Sequence, residues 1–182
     1  MARLAGLPVL ALCMLIAACS PSAPAPPTAP AGSGQRHFTG TWNAAGTRQA
    51  LDLGPGHRAE VFSLSGSLML SGEARPHLGF RAEVIGFADS QSGMQGRSVW
   101  TDERGEKAFS ELHSAGVPGQ LVEGRFVGGT GRYAGVSGEY TFKWQPLVAT
   151  EDGGVSGRVV ELRGWARLAT PSAGPLPGGS PP

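Results

Sequence analysis

Four histidines, two cysteines and 14 acidic side chains are the groups in this 182-residue chain that can ligate a metal, attack a substrate or move a proton. Their spacing assembles little. His37, His57, His77 and His113 are dispersed, with no HxH or HExxH pair and no cysteine beside them, so a zinc site has no support. Ser114 follows His113, but neighbours in sequence are not a triad, and no GxSxG elbow is present. Thr101-Asp102-Glu103-Arg104-Gly105-Glu106 gathers carboxylates, yet Ca²⁺ wants six or more oxygens and Arg104 opposes it. The composition suits a solvated hairpin turn better. Gly129-Thr130-Gly131-Arg132-Tyr133-Ala134 matches GxGxxA, a dinucleotide fingerprint, but Gly135 and Gly138 cut off the helix that must follow. No GK[ST] phosphate loop exists, and no cofactor motif or metal set is found. Trp100, Glu111, Arg81 and Glu83 are the ligand-binding candidates, because ligand-holding barrels turn a few polar groups inward among apolar ones. Trp100 shares parity with Asp102, and Glu111 lies on the next strand. The plain alternatives are core packing for Trp100 and rim ion pairs for the charges. No residue is assigned a catalytic role.

Cys19 is different, because its surroundings have a definite chemistry. Met1–Ala18 has Arg3 near its start and an uncharged, mostly apolar run behind it, the layout of a signal peptide. That run is too short for a comfortable membrane span of about 20 residues. It ends in Leu15-Ile16-Ala17-Ala18-Cys19, which resembles the lipobox at which bacterial lipoproteins are diacylated and cut. The thiol takes the diacylglyceryl group, and the small residues fit the peptidase. Two or three acyl chains, at about 0.8 kcal/mol per buried CH₂, hold a protein on a bilayer. Palmitate-type acylation of Cys19 therefore predicts a membrane partner and a place in the bacterial cell envelope. Ser20, rather than Asp, follows the Cys and favours an outer-membrane lipoprotein facing the periplasm. Cys13 is lost with the leader, so no disulfide forms within one mature chain.

Composition bounds the remainder. The chain holds 29 Gly and 15 Pro, which fits one turn-rich domain with unstructured ends. Without Arg3, 14 basic side chains face 14 acidic ones, so nothing suggests the basic surface that nucleic acid needs. Residues 19–35 read as a lipid-anchored linker, with five prolines and no charge in Ser20–Gln35. Extended at about 3.1 Å per residue, it reaches roughly 50 Å. Thr170–Pro182 reads as a disordered tail.

Residues 36–169 form the domain. Strands are predicted near His37–Asn43, Thr47–Leu53, Arg58–Ser71, Leu78–Ala88, Arg97–Thr101, Lys107–His113, Leu121–Val127, Gly138–Gln145 and Val155–Leu168, divided by turn residues such as Gly54-Pro55-Gly56. Phe62, Leu64, Leu68 and Leu70 share one parity. Tyr140, Phe142 and Trp144 share another, and Val160, Leu162, Ala166 and Leu168 alternate with charges. This is period two, not 3.6. Eight or nine such strands fit an all-β, single antiparallel closed barrel, which removes exposed edges, with a sandwich as the alternative.

Between two of these strands, Gly128 and Gly129 allow a sharp turn at φ > 0. Thr130 can cap a helical turn of Gly131, Arg132, Tyr133 and Ala134, and Gly135 ends it, so the turn seats Tyr133 against one end of the β-structure. This GGTGRYAGVSG run (Gly128–Gly138), preceded by Arg97–Glu111, resembles the turn of allene oxide cyclase and dirigent-like barrels. The resemblance implies an eight-stranded antiparallel barrel of calycin-like shape over roughly residues 36–169. It also implies oligomers, since some of those barrels form trimers or dimers. The barrel region has no cysteine, although one belongs to the cyclase pocket.

Three functions fit these readings. The first is a lipid-anchored barrel that binds a small apolar or amphipathic ligand or acts as an envelope scaffold. The second is a cyclase- or isomerase-like enzyme working by conformational restraint. The third is a structural lipoprotein that binds protein partners. The first is preferred, because no activated nucleophile, metal cluster or cofactor motif is present.

Overall fold

A computed structural model describes residues 34–72, 75–115 and 121–169. The expected signal peptide, Cys19, most of the expected linker and the expected tail lie outside the described residues. Eight strands run in order: β1 (Gln35–Gly54), β2 (His57–Gly72), β3 (Arg75–Asp89), β4 (Gly93–Asp102), β5 (Lys107–Ser114), β6 (Leu121–Gly129), β7 (Ser137–Ala149) and β8 (Gly154–Arg167). Each pairs antiparallel with the next, and β8 closes on β1 to complete a barrel. The predicted fold class is therefore the observed one.

Alternation builds the wall. Leu64, Leu68 and Leu70 of β2 are buried while Ser63, Ser65 and Ser67 face solvent. Tyr140 and Phe142 of β7 are buried and Trp144 is half-buried. An eight-stranded barrel is just wide enough for such side chains to fill it or to enclose one small ligand.

Two predicted features differ. The strands expected over His37–Asn43 and Thr47–Leu53 are one continuous β1. Gly46, which falls between the two expected strands, pairs with Leu64 in mid-strand. Its missing side chain serves a close approach instead, since a Cβ there would overlap the Ser63 carbonyl. On β8, the inward residue before Leu162 is Val159 rather than Val160. Trp42 pairs with Val159 while Gly40 pairs with Leu162, so β8 carries an extra residue there. Glu161 takes the left-handed conformation, φ 57°, that a bulge of this kind needs.

The β6–β7 connection contains a single 3₁₀ turn, Gly131–Tyr133, with Tyr133 buried. Gly128 (φ 142°), Gly131 (φ 54°) and Gly135 (φ 70°) have positive φ, whereas Gly129 does not. Gly129 is needed because its backbone packs against Lys107 and Tyr133. Thr130 makes no side-chain cap. Its hydroxyl instead accepts the Lys107 N–H at 2.9 Å, which ties the turn to the start of β5.

Candidate functional site

The barrel interior holds one cavity toward each end and is narrow in the middle. The larger cavity, about 220 Å³, lies at the end that holds the β1–β2 and β3–β4 turns. Aromatic rings wall it: Trp42, Phe62, Phe142 and Trp144, with Trp42 and Trp144 centroids 5.8 Å apart. Period-two alternation brings these rings together, since each stands on the inward parity of β1, β2 or β7. Arg48 and Glu60 stand among the lining residues as a 3.7 Å ion pair, each partly exposed. They supply one charge of each sign where the cavity meets solvent. Buried Ser114 also lines it.

The turns at this end are clasped together. His57 Nε2 lies 2.9 Å from Asp89 Oδ2, and Asp89 also accepts the backbone N–H groups of Gln91 and Ser92. The His57 hydrogen bond, followed by that from Gln91, brings the Asp89 carboxyl down to about 2. Ser90 Oγ accepts the Arg58 N–H at 3.0 Å and donates to the Gly56 carbonyl at 3.2 Å.

The second cavity, about 150 Å³, lies at the opposite end, where β1 begins and β8 finishes. Phe38, Phe80, Trp100, Phe126 and Tyr133 line it. Tyr133 packs on Phe80 with centroids 5.9 Å apart, and burial pushes its phenol up to about 12. Beside it is a buried charge. The Asp102 carboxylate is fully enclosed and accepts N–H groups from Arg104 (2.8 Å), Glu106 (3.0 Å) and the Arg132 guanidinium. Burial alone would raise its pKa, but these donors together leave it below the usual carboxylate range. The Arg132 guanidinium carbon lies 5.1 Å from the Tyr133 ring centre, and its Nε lies 3.4 Å from Glu106 Oε2. The Thr101–Glu106 loop is thus a hairpin turn, as its composition suggests, but Asp102 is locked inward rather than solvated. No cluster of three His, Cys, Asp or Glu stands among the described residues.

Of the four ligand-binding candidates, only Trp100 is inside. It is buried in the middle of the barrel, with ring centroids 5.1 Å from Phe126 and 4.8 Å from Tyr140. Arg81 and Glu83 stand on the outer face of β3, paired with each other at 3.1 Å. Glu111 faces outward on β5 between Arg125 (2.9 Å) and Arg97 (3.2 Å), and the Arg125 hydrogen bond and Arg97 charge hold its carboxyl low. These three do not line the interior. Phe80, Ala82 and Val84 fill the inward positions of β3, and Ser110 and Leu112 those of β5. Ser114 and His113 point to opposite faces of β5, so they form no pair.

The residues that do line the larger cavity were partly visible in sequence. Phe62, Phe142 and Trp144 lie on parities already marked as apolar. Arg48 and Glu60 carry a weaker signal: Arg48 follows Trp42, Ala44 and Gly46 on the same parity of β1. Only pairing with β2 brings Glu60 beside it.

No protein-family model matches the chain. No curated protein matches it in sequence. Among solved structures, a pyocyanin demethylase is 16% identical, covering 69% of this chain and 99% of its own, with a TM-score of 0.38. A pterocarpan synthase dirigent protein is 13% identical, covering 79% of this chain and 95% of its own, also with a TM-score of 0.38. Both are too distant to bear on chemistry, and the barrel rests on its own strand pairing.

Proposed function

We propose that this barrel holds a small apolar or amphipathic molecule in its larger cavity, on a chain tethered to a bacterial envelope membrane through Cys19. The observation that carries the binding reading is the apolar, aromatic-walled cavity of about 220 Å³ with the Arg48–Glu60 pair among its lining residues. An apolar cavity of about 150 Å³ is enough for benzene, so this one suits a molecule of one or two rings or a short branched chain. Burying about 250 Å² of such a ligand is worth about 6 kcal/mol before the costs of association. A polar substituent on the ligand would sit beside Arg48 and Glu60. The tether is supported by Leu15-Ile16-Ala17-Ala18-Cys19. Gln35, where β1 starts, lies at the end of the barrel opposite the larger cavity.

Native mass spectrometry of the chain extracted gently from its own host tests both parts. The expected result is an acyl mass that disappears in Cys19→Ala, and a further small-molecule mass retained by the barrel. Ala88→Leu adds bulk to the wall of the larger cavity and is expected to lose that second mass while its circular-dichroism melt stays cooperative. A clean barrel mass across several extractions would overturn the binding reading in favour of a filled scaffold. An unmodified Cys19 would overturn the tether.

A further inference from the structure

The middle of the barrel is not wholly apolar. Ser98 of β4 and Ser110 of β5 are directly opposite each other and face inward, 2% and 1% exposed. The Tyr140 hydroxyl meets Ser110 Oγ at 2.6 Å. The Ser98 hydroxyl and the Trp42 indole N–H are buried and make no hydrogen bond of ordinary length among the described residues, although Ser98 stands close enough to the Tyr140 hydroxyl to offset part of the effect of burial on that phenol. Native interiors seldom leave such groups unmatched, because a buried donor without an acceptor forfeits its hydration for nothing.

These two donors share a location. Ser98 and Trp42, with Tyr140, line a third and much smaller cavity of about 20 Å³ at the barrel's centre. Trp42, Val84, Leu112 and Phe142 line both this gap and the larger cavity, so the gap is the larger cavity's floor. A single water-sized group needs about 10–15 Å³, so the gap takes one such group and little more. No charged side chain lines it. An ion there would lack a counter-charge, so the group must be neutral. Burial pushes the Tyr140 phenol well up, which keeps it a neutral donor.

We infer that the floor receives a neutral oxygen of the bound molecule, a carbonyl, ether or hydroxyl oxygen, with the Ser98 hydroxyl and the Trp42 indole N–H as its donors. The site then selects an apolar molecule with an oxygen at its buried end over a hydrocarbon of the same shape. This rests on the binding reading above and adds the ligand's chemical class to it.

The test uses two matched probes, tetralin and α-tetralone, which differ by one carbonyl oxygen. The full mature chain is titrated with each by tryptophan quenching, checked by calorimetry. The readout is the ratio of the two affinities, so a general weakening of the cavity cancels. The expected result is a ratio in favour of α-tetralone that falls by about three- to tenfold in Ser98→Ala, the range of one neutral hydrogen bond. Tyr140→Phe, nearly isosteric, is expected to lower the ratio by a smaller factor, because the Tyr140 hydroxyl stands beside Ser98 and Ser110 and Tyr140 itself lines the gap. A ratio unchanged in both variants, with both probes bound, would overturn the polar floor and leave the cavity standing. So would a wild-type preference for tetralin. Binding of neither probe would overturn both readings.

Discussion

Arg132→Ala tests whether the motif-bearing turn is a latch. Arg132 is the only side chain that brings a positive charge to the enclosed Asp102 carboxylate among the described ion pairs. Removing one partner of a buried pair destabilises by about 3–5 kcal/mol, because a charge stays behind uncompensated. Two observations place this case lower. Asp102 keeps the Arg104 and Glu106 backbone donors, and the Arg132 side chain is itself 26% exposed. The expected loss is about 2–3 kcal/mol, including a weak contribution from the guanidinium over Tyr133. For a domain of this size that lowers Tm by about 8–12 °C. The pH dependence has a definite sign. The folded Asp102 pKa is depressed, so its stabilisation is complete above the unfolded carboxylate value, about 3.9, and is lost as pH falls through the lower folded value. The gap between wild type and Arg132→Ala should therefore be widest near pH 7 and close in acid. Thermal melts followed by circular dichroism at several pH values measure both. Glu106→Gln is the control, expected within about 1 kcal/mol, because a partly exposed ion pair at 3.4 Å contributes little. An Arg132→Ala melt within about 2 °C of wild type at pH 7, or a gap that widens in acid, would refute the latch.

Two further outcomes follow from packing and backbone. A Cβ at Gly124 would overlap the Tyr140 ring, which Trp100, Phe126 and the Ser110 hydroxyl hold in place, so Gly124→Ala should lose about 2–3 kcal/mol in chemical denaturation. Gly79→Ala on the outer face, where the nearest atom is Met69 Sδ at 3.5 Å, should stay within about 0.5 kcal/mol, and equal effects at the two sites would contradict the packing argument. Glu161→Gly relieves a left-handed non-glycine residue and gives up only an exposed contact with Lys143, so Tm should rise by about 2–4 °C; a fall would mean that the ion pair outweighs the strain.

Strands and turns were legible in the sequence because they are local. Period-two alternation over Phe62–Leu70 and Tyr140–Trp144, with glycine-rich breaks, specifies half-buried strands wherever they end up. The Gly128–Gly138 turn likewise announces itself, although Thr130 serves β5 rather than the helical turn. Alternation tells which residues share a face but not which face is inside. On β3, Arg81 and Glu83 share parity with Ile85 and Phe87, and Phe80, Ala82 and Val84 share the other, so both faces carry apolar residues. Closure of the barrel decided between them, and it put Arg81 and Glu83 outside. Glu111 shares its parity with Phe109 and went out for the same reason.

Only the tertiary structure decided the rest. Gly46 looks like a strand break until the Ser63 carbonyl is placed against it. The shift from Val160 to Val159 depends on a bulge at Glu161, which appears only when β8 is set against β1 and β7 together. The cavities are what eight inward faces leave unfilled, and no single strand encodes that remainder. The sequence by itself determined one turn-rich, all-β domain of half-buried strands and the run Leu15-Ile16-Ala17-Ala18-Cys19 that precedes it. The fold alone placed four aromatic rings around an opening at one end, a locked carboxylate at the other, and unmatched donors between them, because those positions depend on residues far apart in the chain.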